Sequence, residues 1–223
     1  MEQREKFIIG LTGNIGCGKS LVRSMLEVLG AQGIDADALS HEVIKPGGLA
    51  YQQVLDAFGD VMDAPGGTIN RKKLGSIVFG NPKLMQRLEG IIHPIVIAES
   101  ERLIRESDRN VIVLEAIKIM ETSLASECDS MWLVTAPKEL QLLRLMKTRG
   151  LSEADALQRI EAQTPQEIKM ALADVIIVNA GSMDETWEQV VSHWMEVVPP
   201  EYRNDELTDA ALKRQLEPKD YRD

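Results

Sequence analysis

The sequence predicts an α/β protein built on a five-stranded parallel sheet. The prediction rests on short apolar runs, on helical patterns between them, and on a glycine-rich segment directly after the first run. The runs are Phe7–Thr12, Gly33–Ala36, Asn110–Leu114, Met131–Thr135 and Val175–Val178. The first, third and fifth are rich in Ile and Val with little polar alternation, which is typical of parallel strands covered on both faces. Because helical patterns separate the runs, the chain alternates β and α.

The glycine-rich segment after the first predicted strand is Gly13-Asn14-Ile15-Gly16-Cys17-Gly18-Lys19-Ser20. It matches G-x-x-x-x-G-K-[ST] at every fixed position, with a helix predicted after it over Leu21–Leu29. The glycines let backbone N–H groups point at phosphate oxygens, and the helix N-terminus adds partial positive charge. Lys19 would bridge the β- and γ-phosphates, and the Ser20 hydroxyl would ligate Mg²⁺. This context disfavours the simpler interpretation, a glycine-rich turn with an incidental Lys-Ser pair.

Composition excludes several classes of function. The net charge of -10 and an aromatic content of 4% argue against a nucleic-acid binder. The charged N-terminus and the lack of a membrane-length apolar stretch predict a soluble, cytoplasmic protein with Cys17 and Cys128 reduced. No Asn-Lys-x-Asp guanine-reading motif is present, which disfavours a GTPase. No base lies beside Cys17 in sequence, so it is expected to fill a tolerant loop position rather than act as a nucleophile.

The link between the second and third predicted strands, residues 38–109, is interpreted as a helical insertion at the carboxyl edge of the sheet, where ligands bind in open α/β sheets. Helices are predicted over Tyr51–Phe58 and Lys83–Ile92. Turn signals separate the helices, at Pro46-Gly47-Gly48, Pro65-Gly66-Gly67 and Asn81-Pro82.

A helix–turn–helix is predicted over Pro137–Gln163, and Ser152 is expected to cap its second helix. A further helix should start at Thr164 as N-cap, with Pro165 at the first helical position. The charged stretch of residues 199–223 is expected to be a helix or a mobile tail. The chain is treated as one domain, a monomer or a weak homo-oligomer.

Two acids, Asp35 and Asp37, lie at the end of the second predicted strand. Strand alternation would send both to one side. A carboxylate at this edge can orient and deprotonate an acceptor hydroxyl. The alternative is a pair that caps the next helix. Capping is favoured for Asp35 and catalysis for Asp37.

The phosphate loop and these two acids, taken together with further motifs, make the chain resemble the dephospho-CoA kinases from about Ile8 to Val191. The phosphate loop alone is shared by many kinases, whereas the ordered set Asp35-Ala36-Asp37, His93-Pro94 and Asn179-Ala180-Gly181-Ser182 is specific to this family. Further matching positions are Pro46-Gly47, Ile69-Asn70-Arg71, Leu74, Val78, Phe79, Leu88-Glu89, Gln141, Arg144, Arg159-Ile160, Gln163, Lys169 and Ala173-Asp174.

The resemblance implies a kinase core with a helical CoA-binding insertion and a mobile lid over residues 137–163. It implies transfer from ATP, with Mg²⁺, to the ribose 3′-hydroxyl of dephospho-CoA. Asp37 matches the proposed general base, and the lid residue Arg144 is placed over the ATP phosphates, with Arg149 near it. Asn179, Gly181 and Ser182 match a loop expected beside the adenine. Arg71 and His93 fall in the acceptor-binding region, although His93 could equally cap a helix end.

The chain departs from the family pattern at several positions. Leu21 replaces the usual Thr after the loop serine, which removes one hydroxyl contact to the α-phosphate. Arg144 and Arg149 are five apart instead of four, and Glu115 supplies an acid where the family is variable. Lys118 stands in a normally apolar stretch. It is either solvated, with its stem over apolar surface, or paired with the pyrophosphate of dephospho-CoA.

Two other functions remain open. A nucleoside monophosphate kinase would need cations for an acceptor phosphate, and the insertion offers only scattered ones, such as Lys45, Arg71 and Arg87. A non-catalytic nucleotide sensor is disfavoured by Asp37 together with the lid arginines. A turnover assay separates all three.

Overall fold

The computed structural model describes residues 5–59, 61–63 and 67–213. The strands are β1 (Phe7–Thr12), β2 (Gln32–Asp35), β3 (Val111–Glu115), β4 (Ser130–Thr135) and β5 (Val175–Val178). They form one sheet in the order β2-β3-β1-β4-β5. β1 pairs in parallel with β3 and β4, and β4 pairs in parallel with β5. The predicted α/β fold with a five-stranded parallel sheet is confirmed.

Every residue of β1 and β3 is buried, which explains why these strands are apolar up to their last residues, Thr12 and Glu115. Because neighbouring strands are parallel, the carboxyl ends of β1, β3, β4 and β5 lie at the same edge of the sheet. The phosphate loop leaves β1 at that edge.

Helices connect the strands, and most begin or end within two residues of the predicted positions. They are α1 (Lys19–Val28), α2 (Ala36–Glu42), α3 (Tyr51–Phe58), α4 (Arg71–Val78), α5 (Pro82–Glu106), α6 (Lys138–Arg149), α7 (Glu153–Glu161), α8 (Gln166–Met170), α9 (Met183–Val197) and α10 (Asp205–Lys213). Short 3₁₀ turns occur at Ile119–Glu121, Ser123–Glu127 and Pro200–Tyr202. None of the helices in the described ranges is long and apolar enough to cross a lipid bilayer.

Contacts divide the chain into two compact units, Met1–Ile34 with Ser107–Asp223, and Asp35–Glu106. In the first unit, α1 and α9 pack against the sheet, and Leu26 and Trp194 are fully buried in the shared core. Fully burying a side chain such as Leu26 contributes about 1.5–3 kcal/mol. This packing fixes α1, and with it the end of the loop that precedes α1.

The second unit is organised around α5, on which α2, α3 and α4 each pack. The sequence predicted a helix only over Lys83–Ile92, but α5 continues to Glu106 with Pro94 inside it. Proline donates no N–H and normally ends or kinks a helix. Pro94 cannot donate a hydrogen bond to the carbonyl oxygen of Gly90, one turn earlier. Both residues are exposed, so water can replace the missing hydrogen bond. The predicted end at Ile92 is therefore wrong.

The helix–turn–helix predicted over Pro137–Gln163 is confirmed as α6 and α7, and is called the hairpin below. Ser152 caps α7 by accepting from the N–H of Asp155 at 3.1 Å, as predicted. The predicted cap at Thr164 is wrong, because α8 begins one residue later with Pro165 as its N-cap. The Thr164 hydroxyl instead donates to Glu121 Oε1 at 3.1 Å.

The C-terminal stretch contains one described helix, α10, which packs on α1. Thr208 and Ala211 are buried there, and the Thr208 hydroxyl donates to the carbonyl oxygen of Leu29 at 3.3 Å. Of the two alternatives for residues 199–223, the helix therefore applies to Asp205–Lys213. Residues 214–223 lie outside the described residues, as do Pro65 and Gly66 of one predicted turn.

Candidate functional site

The phosphate loop, Gly13–Ser20, joins the end of β1 to the start of α1 in the predicted strand–loop–helix order. Gly18 precedes α1 in the left-handed region, at φ 94°. A Cβ at Gly18 would lie 2.1 Å from Asn179 Nδ2, so a side chain is excluded by space as well as by conformation. The first backbone N–H groups of a helix have no intrahelical partner. They are therefore available to an anion at this end of α1.

The ammonium group of Lys19 is held over the loop by a hydrogen bond to a neutral carbonyl oxygen. Its Nζ donates to the carbonyl oxygen of Gly13 at 3.0 Å, and the residue is only 9% exposed. A hydrogen bond from an ammonium group to a phosphate oxygen is stronger than one to a neutral carbonyl. A phosphate can therefore take the ammonium group from Gly13 without exposing it to bulk water.

A cavity of about 470 Å³ opens beside the loop, within the roughly 300–1,000 Å³ usual for small-molecule sites. Its lining includes most of the predicted nucleotide residues, namely Ile15, Gly16, Gly18, Lys19, Ser20, Leu21, Arg144, Arg149 and Asn179. Gly13, Asn14 and Cys17 belong to the loop but lie outside that lining. The structure thus gathers residues from three distant parts of the chain around one space.

Arg144 of α6 is bound to backbone and amide oxygens rather than to an acid. One guanidinium nitrogen lies 3.3 Å from the carbonyl oxygens of Gly16 and Cys17, and the other lies 3.1 Å from that of Asn179. Asn179 Nδ2 in turn donates to the Cys17 carbonyl oxygen at 2.9 Å. These partners fix the guanidinium at the cavity wall without neutralising its charge. Arg149, the last residue of α6, is exposed.

Gly181 and Ser182 are placed at the start of α9 and lie outside the cavity lining. Ser182 forms a capping box with Glu185: its hydroxyl accepts from the Glu185 N–H at 3.2 Å, and the Ser182 N–H donates to Glu185 Oε2 at 2.7 Å. A helix cap accounts for the serine at this position. The expected contact of Gly181 and Ser182 with adenine stays a prediction.

Glu115 is the site residue whose function the sequence alone left unassigned. It ends β3, is 4% exposed, and places Oε1 3.5 Å from the Ser20 hydroxyl. Arg23 Nε lies 3.4 Å from its other carboxylate oxygen. The sequence did contain one signal for this role, an acid at the end of a buried strand in a chain with a phosphate loop. Enzymes with this loop hold Mg²⁺ between the loop hydroxyl and an acid of this kind.

The oxygen donors of Ser20 and Glu115 fit a magnesium ion. Mg²⁺ prefers oxygen ligands and is usually held by one or two protein groups together with substrate phosphates and water. Within the described residues, no group of three or more His, Cys, Asp or Glu side chains could hold a metal. A pair that supplies two protein oxygens leaves the remaining positions of Mg²⁺ to phosphate oxygens and water.

In the second unit, Asp35 and Asp37 have different positions. Asp35 is the N-cap of α2, where its Oδ1 accepts from the Ala38 N–H at 2.8 Å, as favoured from the sequence. Asp37 lies in the first turn of α2. β2 ends at Asp35, so the prediction that strand alternation places both carboxylates on one side is wrong.

His41, one helical turn after Asp37, is paired with Arg71 of α4. Arg71 Nη2 lies 2.7 Å from His41 Nε2. Partial burial and the Arg71 guanidinium lower the pKa of His41, although Asp37 and Asp35 act in the opposite direction. The neutral imidazole is therefore favoured, and it accepts the hydrogen bond that orients Arg71.

The other two predicted acceptor residues are exposed. His93 lies within α5, far from either end, so the alternative that it caps a helix end is wrong. Lys118 follows β3 and precedes the 3₁₀ turn Ile119–Glu121. Exposure agrees with the solvated alternative for Lys118 and leaves contact with a substrate as a prediction.

Cys17 is fully buried in the core beneath the loop. Burial raises the pKa of its thiol, and the charge of Lys19 offsets only part of that increase. A thiol kept protonated and out of solvent is a poor nucleophile. The expectation that Cys17 is not a nucleophile agrees with this environment. The expected tolerant loop position is wrong, because the side chain is fully buried in the core.

Comparison with known proteins gives a consistent result. The family model for dephospho-CoA kinase matches residues 7–185. A protein named dephospho-CoA kinase from Carboxydothermus hydrogenoformans is 45% identical over 188 residues, which cover 83% of this chain and 91% of that relative. The dephospho-CoA kinase of Geobacter metallireducens is 41% identical over 192 residues, covering 85% and 96%.

Solved structures agree with these sequence relatives. The crystal structure of TT1252 from Thermus thermophilus matches with a TM-score of 0.80 at 28% identity, covering 88% of this chain and 100% of that chain. Dephospho-CoA kinase from Campylobacter jejuni matches with a TM-score of 0.56 at 26% identity, covering 86% and 98%.

Proposed function

The chain belongs to the dephospho-CoA kinase family, and we propose that ATP bound at the phosphate loop donates its γ-phosphoryl group to the ribose 3′-hydroxyl of dephospho-CoA, giving coenzyme A and ADP. The observation that carries this proposal is the cavity lined by Lys19, Ser20 and Arg144 together. Phosphoryl transfer depends mainly on positioning and on stabilising charge. Three groups surround the cavity: a buried ammonium, a helix N-terminus and a guanidinium that no acid in the described part of the chain neutralises. Together they can position the phosphates and stabilise their charge.

Each nucleotide residue has a distinct proposed role. The N–H groups at the start of α1 bind phosphate oxygens, and Lys19 moves from the Gly13 carbonyl to the β- and γ-phosphates. Arg144 and Arg149, both in the cavity lining, neutralise charge that develops on the transferring group. Asn179 holds Cys17 and Arg144 in place, and Gly181 and Ser182 lie near the adenine. Leu21 leaves the α-phosphate without a hydroxyl contact.

Ser20 and Glu115 are proposed to hold Mg²⁺ when Mg-ATP binds. The metal would neutralise phosphate charge and fix the geometry of the triphosphate. The protein contributes a hydroxyl ligand and a buried carboxylate 3.5 Å apart. Arg23 Nε lies 3.4 Å from the other carboxylate oxygen and places a positive charge beside Glu115.

The second unit is proposed to bind the acceptor, as the insertion of residues 38–109 does in the family. Asp37 is the proposed general base for the ribose hydroxyl. It lies in the first turn of α2, whereas Asp35 caps this helix. Arg71, oriented by His41, and the exposed His93 are proposed contacts for the anionic acceptor.

A turnover assay with Mg-ATP tests the proposed function directly. ADP release is measured with dephospho-CoA, with each nucleoside monophosphate, and without an acceptor, and the product phosphate is mapped. Release with dephospho-CoA alone, and phosphate on the 3′-oxygen, are expected. Faster release with a nucleoside monophosphate would favour the rival kinase, and nucleotide binding without turnover would favour a sensor.

Replacing Glu115 with glutamine should weaken Mg²⁺ binding. The amide keeps the shape but removes the charge. Loss of even an outer-shell partner of a metal typically costs about 10–100-fold in metal affinity or activity, and loss of a charged ligand should cost at least as much. The Mg²⁺ concentration for half-maximal binding of an ATP analogue should rise by that factor, measured by titration. Glu188→Gln, an exposed change on α9, is the control. An unchanged Mg²⁺ titration would remove Glu115 from the metal site.

The hairpin should exchange its amide hydrogens more slowly when nucleotide is bound. Closure of Arg144 and Arg149 on the phosphates would exclude water and order α6 and α7. Hydrogen exchange over residues 137–163 is compared with and without a nonhydrolysable ATP analogue and Mg²⁺. The internal control is α5, which belongs to the other unit. Equal exchange rates in both states would contradict a lid.

Lys118→Met separates the two alternatives for Lys118. If the ammonium group pairs with the pyrophosphate of dephospho-CoA, loss of about 1 kcal/mol should raise the KM for dephospho-CoA roughly fivefold at low salt. The effect should shrink at high salt because of screening, with ATP parameters unchanged. Lys213→Met makes the same charge change at an exposed residue of α10. A KM equal to that of the control would leave only the solvated alternative.

A further inference from the structure

Gln163, at the end of the hairpin, holds the first half of the phosphate loop. The backbone N–H of Ile15 donates to Gln163 Oε1 at 2.7 Å. Asn14 Nδ2 donates to the carbonyl oxygen of Thr164 at 3.2 Å. The partners are 148 and 150 residues apart in sequence, so neither contact is a local turn. Two consecutive loop residues are therefore tied to two consecutive residues that follow α7.

The side chain of Ile15 packs into the hairpin. It is 9% exposed and forms a buried cluster with Leu145 of α6 and Ala156 and Ile160 of α7. The hairpin also lies against Gly16, where a Cβ would come within 2.9 Å of the Gln141 carbonyl oxygen. The hairpin thus contacts the main chain and the side chain of the same loop segment.

The hydrogen bond to Gln163 uses a loop N–H distinct from those at the start of α1. It therefore fixes the loop and leaves the N–H groups at the start of α1 available to bind an anion. An N–H that loses its partner away from water carries a free-energy penalty, so the bond disfavours other conformations of Ile15. A loop already held in its binding conformation avoids an ordering cost when the ligand arrives.

We propose that Gln163 is a positioning residue of the phosphate loop, which makes nucleotide affinity depend on the docking of the hairpin. This inference rests on the proposed function, because it takes ATP as the ligand of the loop. Gln163 acts through Ile15 and does not touch the reacting atoms. Coupling between two binding events is reciprocal. Bound nucleotide must therefore stabilise the docked hairpin by the same factor by which docking improves nucleotide affinity.

The test compares Gln163→Leu, which removes the acceptor at similar size, with Gln163→Met, whose sulfur is a weak acceptor. Gln158→Leu is the matched control, because Gln158 is an exposed residue of α7 in the same hairpin. Three quantities are measured for each protein: the Kd of a nonhydrolysable ATP analogue, the kcat and both KM values, and the hydrogen exchange of residues 137–163 with and without the analogue. Thermal melting identifies any variant that does not fold.

Gln163→Leu should raise the Kd of the analogue and the KM for ATP about tenfold, or about 1.4 kcal/mol. The KM for dephospho-CoA and the kcat at saturating ATP should stay within about twofold, and Gln163→Met should lie between Leu and wild type. The slowing of hairpin exchange by nucleotide should fall by the same factor as the affinity. If Gln163→Leu does not fold, the Kd of Gln163→Met decides.

Nucleotide affinity equal to that of Gln158→Leu would overturn the proposal. An equal loss of affinity for ATP and for dephospho-CoA would also overturn it, because that result indicates general destabilisation. Failure of the wild-type protein to bind the analogue is a different outcome, since it would contradict the proposed function itself.

Discussion

Replacing Lys19 with methionine should lower kcat by about 10²–10³-fold or more. One preorganised donor aimed at developing charge is worth this much in enzymes where it has been removed. In phosphoryl transfer the protein supplies mainly positioning and charge neutralisation, so the loss should not be recovered by raising the ATP concentration. Methionine keeps the unbranched stem that packs against Gly13 and has a helix propensity similar to that of lysine. Steady-state kinetics at saturating substrates measure the effect.

The control for Lys19→Met is Lys213→Met, which also removes one positive charge but lies on α10, outside the cavity lining. Its kcat should match that of wild type. Circular dichroism and thermal melting establish that Lys19→Met is folded. Near-normal turnover in a folded Lys19→Met protein would contradict the assignment of the cavity as the site of phosphoryl transfer.

The phosphate loop could be predicted in full because its signals are local. A buried apolar strand, glycines at fixed positions and a helix start all occur within Phe7–Val28. The predicted sheet also followed from local patterns, since β1 and β3 are apolar except at their last residues. What these patterns determine is the position of the backbone N–H groups and of Lys19.

Contacts made by tertiary structure could not be predicted in the same way. Ser20 and Glu115 are 95 residues apart, and the sequence signal, an acid that closes a buried strand, does not show that its carboxylate lies next to the loop hydroxyl. The hydrogen bond from Ile15 to Gln163 depends likewise on how the hairpin packs. Family resemblance marked Gln163 as a matching position but gave no physical reason for it.

Local rules also failed where packing overrides them. The sequence predicted a helix that ends at Ile92, just before Pro94, yet α5 continues because three other helices pack on it and the affected backbone is exposed. Asp37 was placed by strand alternation, yet the chain becomes helical at Ala36. The expected chemistry of Asp37 therefore rests on the family resemblance and not on the geometry of a strand.

Asp37→Asn should lower kcat by about 10²–10⁴-fold, the range of general-base contributions. Asparagine keeps the size of the side chain and one acceptor oxygen but cannot accept the proton of the ribose hydroxyl at neutral pH. ATP affinity should hardly change. Loss of a negative charge in the first turn of α2 costs about 0.3–1 kcal/mol of stability, so the folded fraction is determined by melting before kinetics are compared.

Asp35→Asn is the matched control for Asp37→Asn, because it makes the same chemical change two residues earlier. Asp35 caps α2 through Oδ1, and asparagine caps nearly as well as aspartate, so its kcat should remain within about twofold of wild type. A large loss of kcat in Asp37→Asn alone would identify Asp37 as the base, because the two variants share the charge change and the helix. If Asp37→Asn raises only the KM for dephospho-CoA, then Asp37 binds the acceptor, and the proton of the ribose hydroxyl must leave by another route.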